Sequence, residues 1–153
     1  MSAFNIETLS VTLFNDNFLS ALHLKAIENE NRCVNFDLRT TAGTTCQLML
    51  NIMEPGIHAS IHRHMKTSET VICLKGCLDW IFYEELPNVD AGGPVHDGEY
   101  AIVENSFAEV ARFRICPREQ KYGIQIPPMA WHSIEVHEPS TIFEAKDGVY
   151  KGR

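Results

Sequence analysis

The stretch Gly56–Gly76 reads GIHASIHRHMKTSETVICLKG. It places three metal-capable side chains, His62, His64 and Glu69, within eight positions. On an extended chain residues two apart share a face, so His62 and His64 present two imidazoles side by side. Met65 to Ser68 leave room for a turn that brings Glu69, at the head of the next strand, to the same space. Gly56 and Gly76 punctuate the two ends, and Glu54-Pro55-Gly56 is itself a turn signal. A further histidine, His132, opens a later strand in Ile126-Pro127-Pro128-Met129-Ala130-Trp131-His132. Two or three neutral imidazoles with one carboxylate suit a first-row divalent metal such as Fe, Ni, Zn, Mn or Cu. An HxH pair alone is a weak signal, and the weight rests on the spacing of the whole set.

On either side the pattern is strand after strand. From Cys46, Leu48, Leu50 and Ile52 make one face and Gln47, Met49, Asn51 and Met53 the other. Short strands are expected near Ile57–His64, Thr70–Lys75, Leu78–Glu84, Tyr100–Glu104, Phe107–Ile115, Tyr122–Ile126, Trp131–His137 and Thr141–Lys146. Many short strands cut by Gly and Pro indicate a sandwich or small barrel. The Pro/Gly/Asp-rich segment Leu86–Gly98 is the one long connection, either over a barrel mouth or in solvent. One helix precedes the strands: Asn15 or Asp16 can cap it, and Phe18, Leu19, Leu22, Ala26 and Ile27 recur at helical spacing.

Composition bounds the rest. The 153 residues suffice for one domain with a useful core, and 44% hydrophobic with 22% charged residues describes a globular chain. Thirteen Lys+Arg against twenty Asp+Glu give a net charge of −7, a field that disfavours nucleic acid and anionic membranes as partners. Five cysteines, an odd number without CxxC spacing, read as reduced structural thiols. With no signal-peptide pattern in Met1 to Phe14, the expected compartment is cytoplasmic.

Gly56, His62, His64, Glu69 and Gly76 reproduce the spacing of the first motif of the cupin superfamily at every fixed position. Pro127 and His132 match the second motif, while Lys121, Met129 and Val136 replace its two Gly and its Asn. More narrowly, the chain resembles the WbuC-type cupin fold metalloproteins. The likeness runs from the early helix through Arg32, Asn35, Glu54-Pro55-Gly56, His62-Arg63-His64, Ile126-Pro127-Pro128 and Trp131-His132 to Phe143–Tyr150. It implies a metal-bound jelly-roll barrel, often dimeric, with His132 as fourth ligand beside His62, His64 and Glu69. Some members lie near genes for surface polysaccharide synthesis, and the likeness implies no settled reaction.

The expected architecture is all-β: a single small jelly-roll (cupin) β-barrel with an N-terminal helix. Residues 1–45 would form the helix and a lead-in packed on the barrel, and 46–153 the barrel, one domain overall. Several residues are candidates for a substrate pocket. His58 shares parity with Ser60, His62 and His64, and either lines the barrel or is rotated outward by the turn before it. Gln47, Asn51 and Tyr83 are either pocket groups or hydrogen-bonded wall residues. Arg32 and Asn35 follow the helix, where the guanidinium could clamp an anion or make a surface ion pair. Lys146 either pairs with Glu144 or holds an anionic substrate. His23, His96 and His137 are expected to have no ligand role.

The expected function is a divalent-metal-binding cupin holding one Fe, Zn, Ni or Mn ion. It would be a small metalloenzyme (isomerase, lyase or dioxygenase) on a small polar molecule such as a sugar or sugar-nucleotide derivative. The alternative is a non-catalytic, metal-dependent small-ligand binder. The sequence names no general base beyond the ligands. Expected partners are a small molecule and a second copy in a homodimer, with neither nucleic acid nor membrane.

Overall fold

The structure is a computed structural model that describes residues 11–41, 43–57, 59–87 and 106–148. Helix α1 (Asp16–Glu28) starts where the Asn15 side chain accepts from the Phe18 N–H at 2.9 Å. It ends at Asn29, whose N–H bonds back to Ala26 and Lys25. Leu19, Leu22 and Ala26 are buried on its inner face, whereas Ile27 is 53% exposed. One position past Ala26 is about 100° round the helix, so Ile27 cannot share that face.

Eight strands follow: β1 (Cys33–Asp37), β2 (Cys46–Met53), β3 (Glu69–Lys75), β4 (Leu78–Glu85), β5 (Phe107–Ile115), β6 (Gly123–Ile126), β7 (Trp131–Val136) and β8 (Ser140–Asp147). They form two antiparallel sheets, a five-stranded one in the order β1-β2-β8-β3-β6 and a three-stranded one in the order β5-β4-β7. Met53, Val71, Leu78, Trp80, Ile126 and Ile142 belong to the core cluster they share. Among the described residues no continuous ladder joins the sheets; a single bridge, His62 to His132, links β7 to the segment before β3. The jelly roll therefore takes the form of two facing sheets.

The alternation in β2 decides which side is which. Leu50 and Ile52 pack with Val34 and Phe36 under Leu19, Leu22 and Ala26 of α1. Each such fully buried Leu or Ile contributes about 1.5–3 kcal/mol. Gln47, Met49, Asn51 and Met53, the opposite face, line a cavity of about 460 Å³. The helix covers the apolar face and leaves the polar-bearing one inside.

Two expectations change. The lead-in contributes a strand of its own, β1, so the five-stranded sheet begins at Cys33. Ile57–His64 does not form the expected strand: among its described residues only the His62 bridge pairs. Its polar groups go elsewhere, because the His62 imidazole takes the Ser60 carbonyl and the His64 carbonyl accepts from the Met129 N–H. The expected strand Tyr100–Glu104 lies outside the described residues. No helix among the described residues is long and apolar enough to cross a membrane.

Candidate metal centre

His62, His64, Glu69 and His132 converge, each offering a ligand atom within 4.8 Å of all the others. His132 is the second residue of β7 and exchanges both backbone hydrogen bonds with His62, at 3.0 and 2.8 Å. Glu69 is the first residue of β3, paired with Ile126 of β6 on one side and Lys146 of β8 on the other. Three of the four side chains are nearly sealed: His132 is 1%, Glu69 3% and His64 7% exposed.

The tautomers follow from the backbone. His62 Nδ1 lies 2.9 Å from the Ser60 carbonyl, and His132 Nδ1 lies 2.9 Å from the Ala130 carbonyl. A carbonyl only accepts, so both Nδ1 atoms carry the proton and each Nε2 keeps its lone pair when the ring is neutral. This is the outer arrangement that fixes a metal-binding imidazole. His132 Nε2 sits 3.9 Å and His64 Nε2 2.7 Å from Glu69 Oε2. The rings of His62 and His132 are 4.3 Å apart, and the Trp80 indole lies nearly parallel to His132 at 5.9 Å. Three imidazoles and a carboxylate gathered out of water form a donor set that a divalent cation satisfies.

The turn before His132 rests on Met129, which stands where the cupin motif has Gly and adopts φ 71°. Its N–H donates to the His64 carbonyl at 2.7 Å, so this left-handed residue ties the two ligand segments together. Arg63, between the two histidines, lies 4.2 Å from the centre of the Trp131 ring.

The other sequence candidates divide. Asn35, Gln47 and Asn51 line the cavity together with His62 and Glu69. Tyr83 hydrogen-bonds Ser133 at 2.8 Å and packs against Ile61, Phe107 and Trp131, a wall position. Arg32 is exposed at φ 54° in the turn before β1, and its carbonyl accepts from the Glu54 N–H. Lys146 is the cross-strand partner of both Gln47 and Glu69, and it is not among the residues lining the cavity. His58 and His96 lie outside the described residues.

His23 bridges α1 to the sheet: Nδ1 donates to Glu54 at 2.9 Å, and Nε2 lies 3.1 Å from the Thr141 hydroxyl. His137 donates to Asp79 at 2.8 Å. Burial pushes the Asp79 carboxyl up, but hydrogen bonds from Arg114, His137 and Arg112 outweigh it and hold it at about 2. Asp79 thus already has its counter-cations, although Asp79, Glu135 and His137 are close enough to share an ion. Cys73 and Cys77 are buried, and burial pushes each thiol up to about 11, which keeps them unreactive at neutral pH.

Sequence reasoning gave Glu144 only a possible partner, Lys146. It is 8% exposed in the cavity wall, and its two carboxylate oxygens accept from the side-chain amides of Gln47 and Asn51. Glu144 faces Met49 across β2, so Gln47 and Asn51 are its two diagonal neighbours. The signal lay in the shared parity of Gln47, Asn51 and Glu144 once the β2–β8 register is known.

Residues 14–92, just over half of the chain, match the model of a family described as a domain of unknown function, DUF6016. The chain belongs to this family. The matched DUF6016 stretch contains His62, His64 and Glu69, while His132 lies beyond it. No curated protein sequence matches significantly.

Solved structures show the fold. A cupin superfamily protein from Desulfitobacterium hafniense superposes with a TM-score of 0.50 at 12% identity, covering 80% of this chain and 82% of its own. A "putative sugar phosphate isomerase" from Acidithiobacillus ferrooxidans gives 0.51 at 20% identity, covering 76% and 60%. E. coli ycfD gives 0.50 at 18% identity, covering 70% and 26%. The chain thus spans about a quarter of ycfD and three fifths of the Acidithiobacillus protein. The DUF6016 chain has the cupin jelly-roll fold.

Proposed function

We propose that His62, His64, Glu69 and His132 hold one divalent transition metal (Fe, Zn, Ni or Mn) and that the chain is a small metalloenzyme. Its substrate would be a small polar molecule of the sugar class, bound in the adjoining cavity. One observation carries the metal reading. The backbone carbonyls of Ser60 and Ala130 fix the His62 and His132 tautomers, leaving two Nε2 lone pairs at the carboxylate of Glu69. Such an arrangement is ready to donate electron pairs to a metal ion at its centre.

A metal there supplies Lewis-acid polarisation of a substrate oxygen, or oxygen chemistry if it is iron. The chain's own residues do the remainder. Asn35, Gln47, Asn51 and Glu144 present polar groups from the floor of the cavity, and Trp80 and Ile142 supply apolar wall. Placing His62 and Glu69 in the lining of that cavity gives a bound molecule access to the centre. The sugar class takes support from the resemblance to WbuC-type cupins and from the name of the Acidithiobacillus protein. The partner is then a small molecule, and not nucleic acid or membrane.

The test is thermal unfolding of chelator-treated protein with Fe(II), Zn, Ni or Mn added back singly. At least one ion should raise the midpoint of the wild type and leave the His62→Ala/His132→Ala variant unmoved. An equal rise in the variant would remove the assignment.

A further inference from the structure

His62 and His64 stand on a segment that belongs to neither sheet, so other contacts must hold their rings at the spacing the centre needs. Part of the answer is backbone: the bridge from His62 to His132, and the Met129 N–H on the His64 carbonyl. The rest lies on the reverse side. Ile61 and Arg63 alternate with the two histidines, and both reach Trp131, the residue before His132. Ile61 packs with Trp131, Phe107 and Tyr83, and the Phe107 and Trp131 rings meet edge to face at 5.1 Å. The Arg63 guanidinium carbon lies 4.2 Å from the Trp131 ring centre, within cation–π range. Glu85, the last residue of β4, closes the triangle with one oxygen, Oε1. That oxygen accepts from the Trp131 indole N–H at 2.8 Å and lies 4.0 Å from Arg63 Nη1. The carboxylate thus fixes the plane of the indole whose face carries the cation. A guanidinium suits the third corner, because it can lie flat on a ring while an edge N–H faces a carboxylate.

We propose that Arg63, Trp131 and Glu85 are positioning residues for the metal centre, a clamp on its reverse side that sets the distance between the His62–His64 segment and His132 before an ion arrives. The inference rests on the metal reading of the four ligands and goes beyond it, since none of the three residues belongs to the ligand set. A donor array held in place binds without first having to order its segments. Loosening the clamp should therefore weaken metal binding more than it weakens the fold.

Chelator competition on metal-free protein tests this, with the ion that raises the wild-type unfolding midpoint, beside urea unfolding of the same metal-free samples. Arg63→Met keeps the apolar stem and removes the cation. Its metal Kd should rise at least tenfold while the metal-free urea midpoint moves little. Arg63→Lys returns a cation to the ring face and should recover most of that loss. Glu85→Ala, at an exposed position that does not endanger folding, should raise Kd severalfold. A lower metal-free midpoint with the Kd of the folded protein unchanged would mark the three as purely structural and overturn the proposal. So would a Kd equal to wild type in both Arg63→Met and Glu85→Ala. If the wild type binds none of Fe(II), Zn, Ni or Mn, the metal reading itself fails and this inference falls with it.

Discussion

Met129 shows how a single residue can depart from a motif and keep its geometry. At φ 71° it occupies backbone space that glycine enters freely and other L-residues enter at a cost of about 1–2 kcal/mol. The return is the 2.7 Å hydrogen bond from its N–H to His64, which holds one ligand segment against the other. Met129→Val should therefore lower stability by about 1–2 kcal/mol in urea unfolding, because a β-branched side chain tolerates the left-handed region least. Met129→Gly should leave stability equal or higher. The four candidates were legible at this scale, His62, His64 and Glu69 from their spacing and His132 from the cupin resemblance, and the fold brings them within 4.8 Å. Glu144 was not, because its partners Gln47 and Asn51 lie 97 and 93 positions away, and only the β2–β8 register brings them together.

Among the elements, the strands from Thr70 onward are legible wherever a turn residue bounds an alternating run, and Phe107–Ile115 forms as read. The failures have physical causes. β1 hides behind the helix because its alternation, Val34 and Phe36 against Asn35 and Asp37, is only five residues long. Ile57–His64 has strand-like parity, yet its carbonyls are taken by a side chain and by the Met129 turn, so the ladder stops at one bridge.

The two glycines that frame the ligand motif serve different ends. Gly56 has φ 86° with open space where a Cβ would stand, so Gly56→Ala should cost about 1 kcal/mol from backbone strain alone. Gly76 has φ 102°, and a Cβ there would meet the Pro139 carbonyl oxygen at 2.5 Å and the Ser140 Cα at 2.6 Å. Gly76→Ala should thus cost at least about 2 kcal/mol more, since the β7–β8 connection must move. Urea midpoints of the two variants check the order.

For the molecule as a whole, the net charge of −7 directs attention away from polyanions but says nothing of how charge is arranged. Asp79, with a side chain 4% exposed, is gripped by Arg112, Arg114 and His137 on the three-stranded sheet. Its carboxyl is held at about 2 against an ordinary 3.8, so it stabilises the fold above that ordinary value. The contribution is lost as pH falls through the folded value. Asp79→Asn should lower stability by about 1–2 kcal/mol at pH 7, allowing for solvent screening at the two half-exposed guanidiniums. The gap between variant and wild type should narrow as pH falls from 5 toward 2 in paired urea titrations.

The proposed metal centre lies where the two sheets share one bridge, and the proposed function rests on the three imidazoles with Glu69. Elemental analysis of untagged protein, purified without chelator or added metal, addresses this most directly. We expect about one equivalent of iron, zinc, nickel or manganese per chain, lost in the His62→Ala/His132→Ala variant. Metal-free protein that takes up none of these ions on titration, or a variant as fully loaded as the wild type, would contradict it.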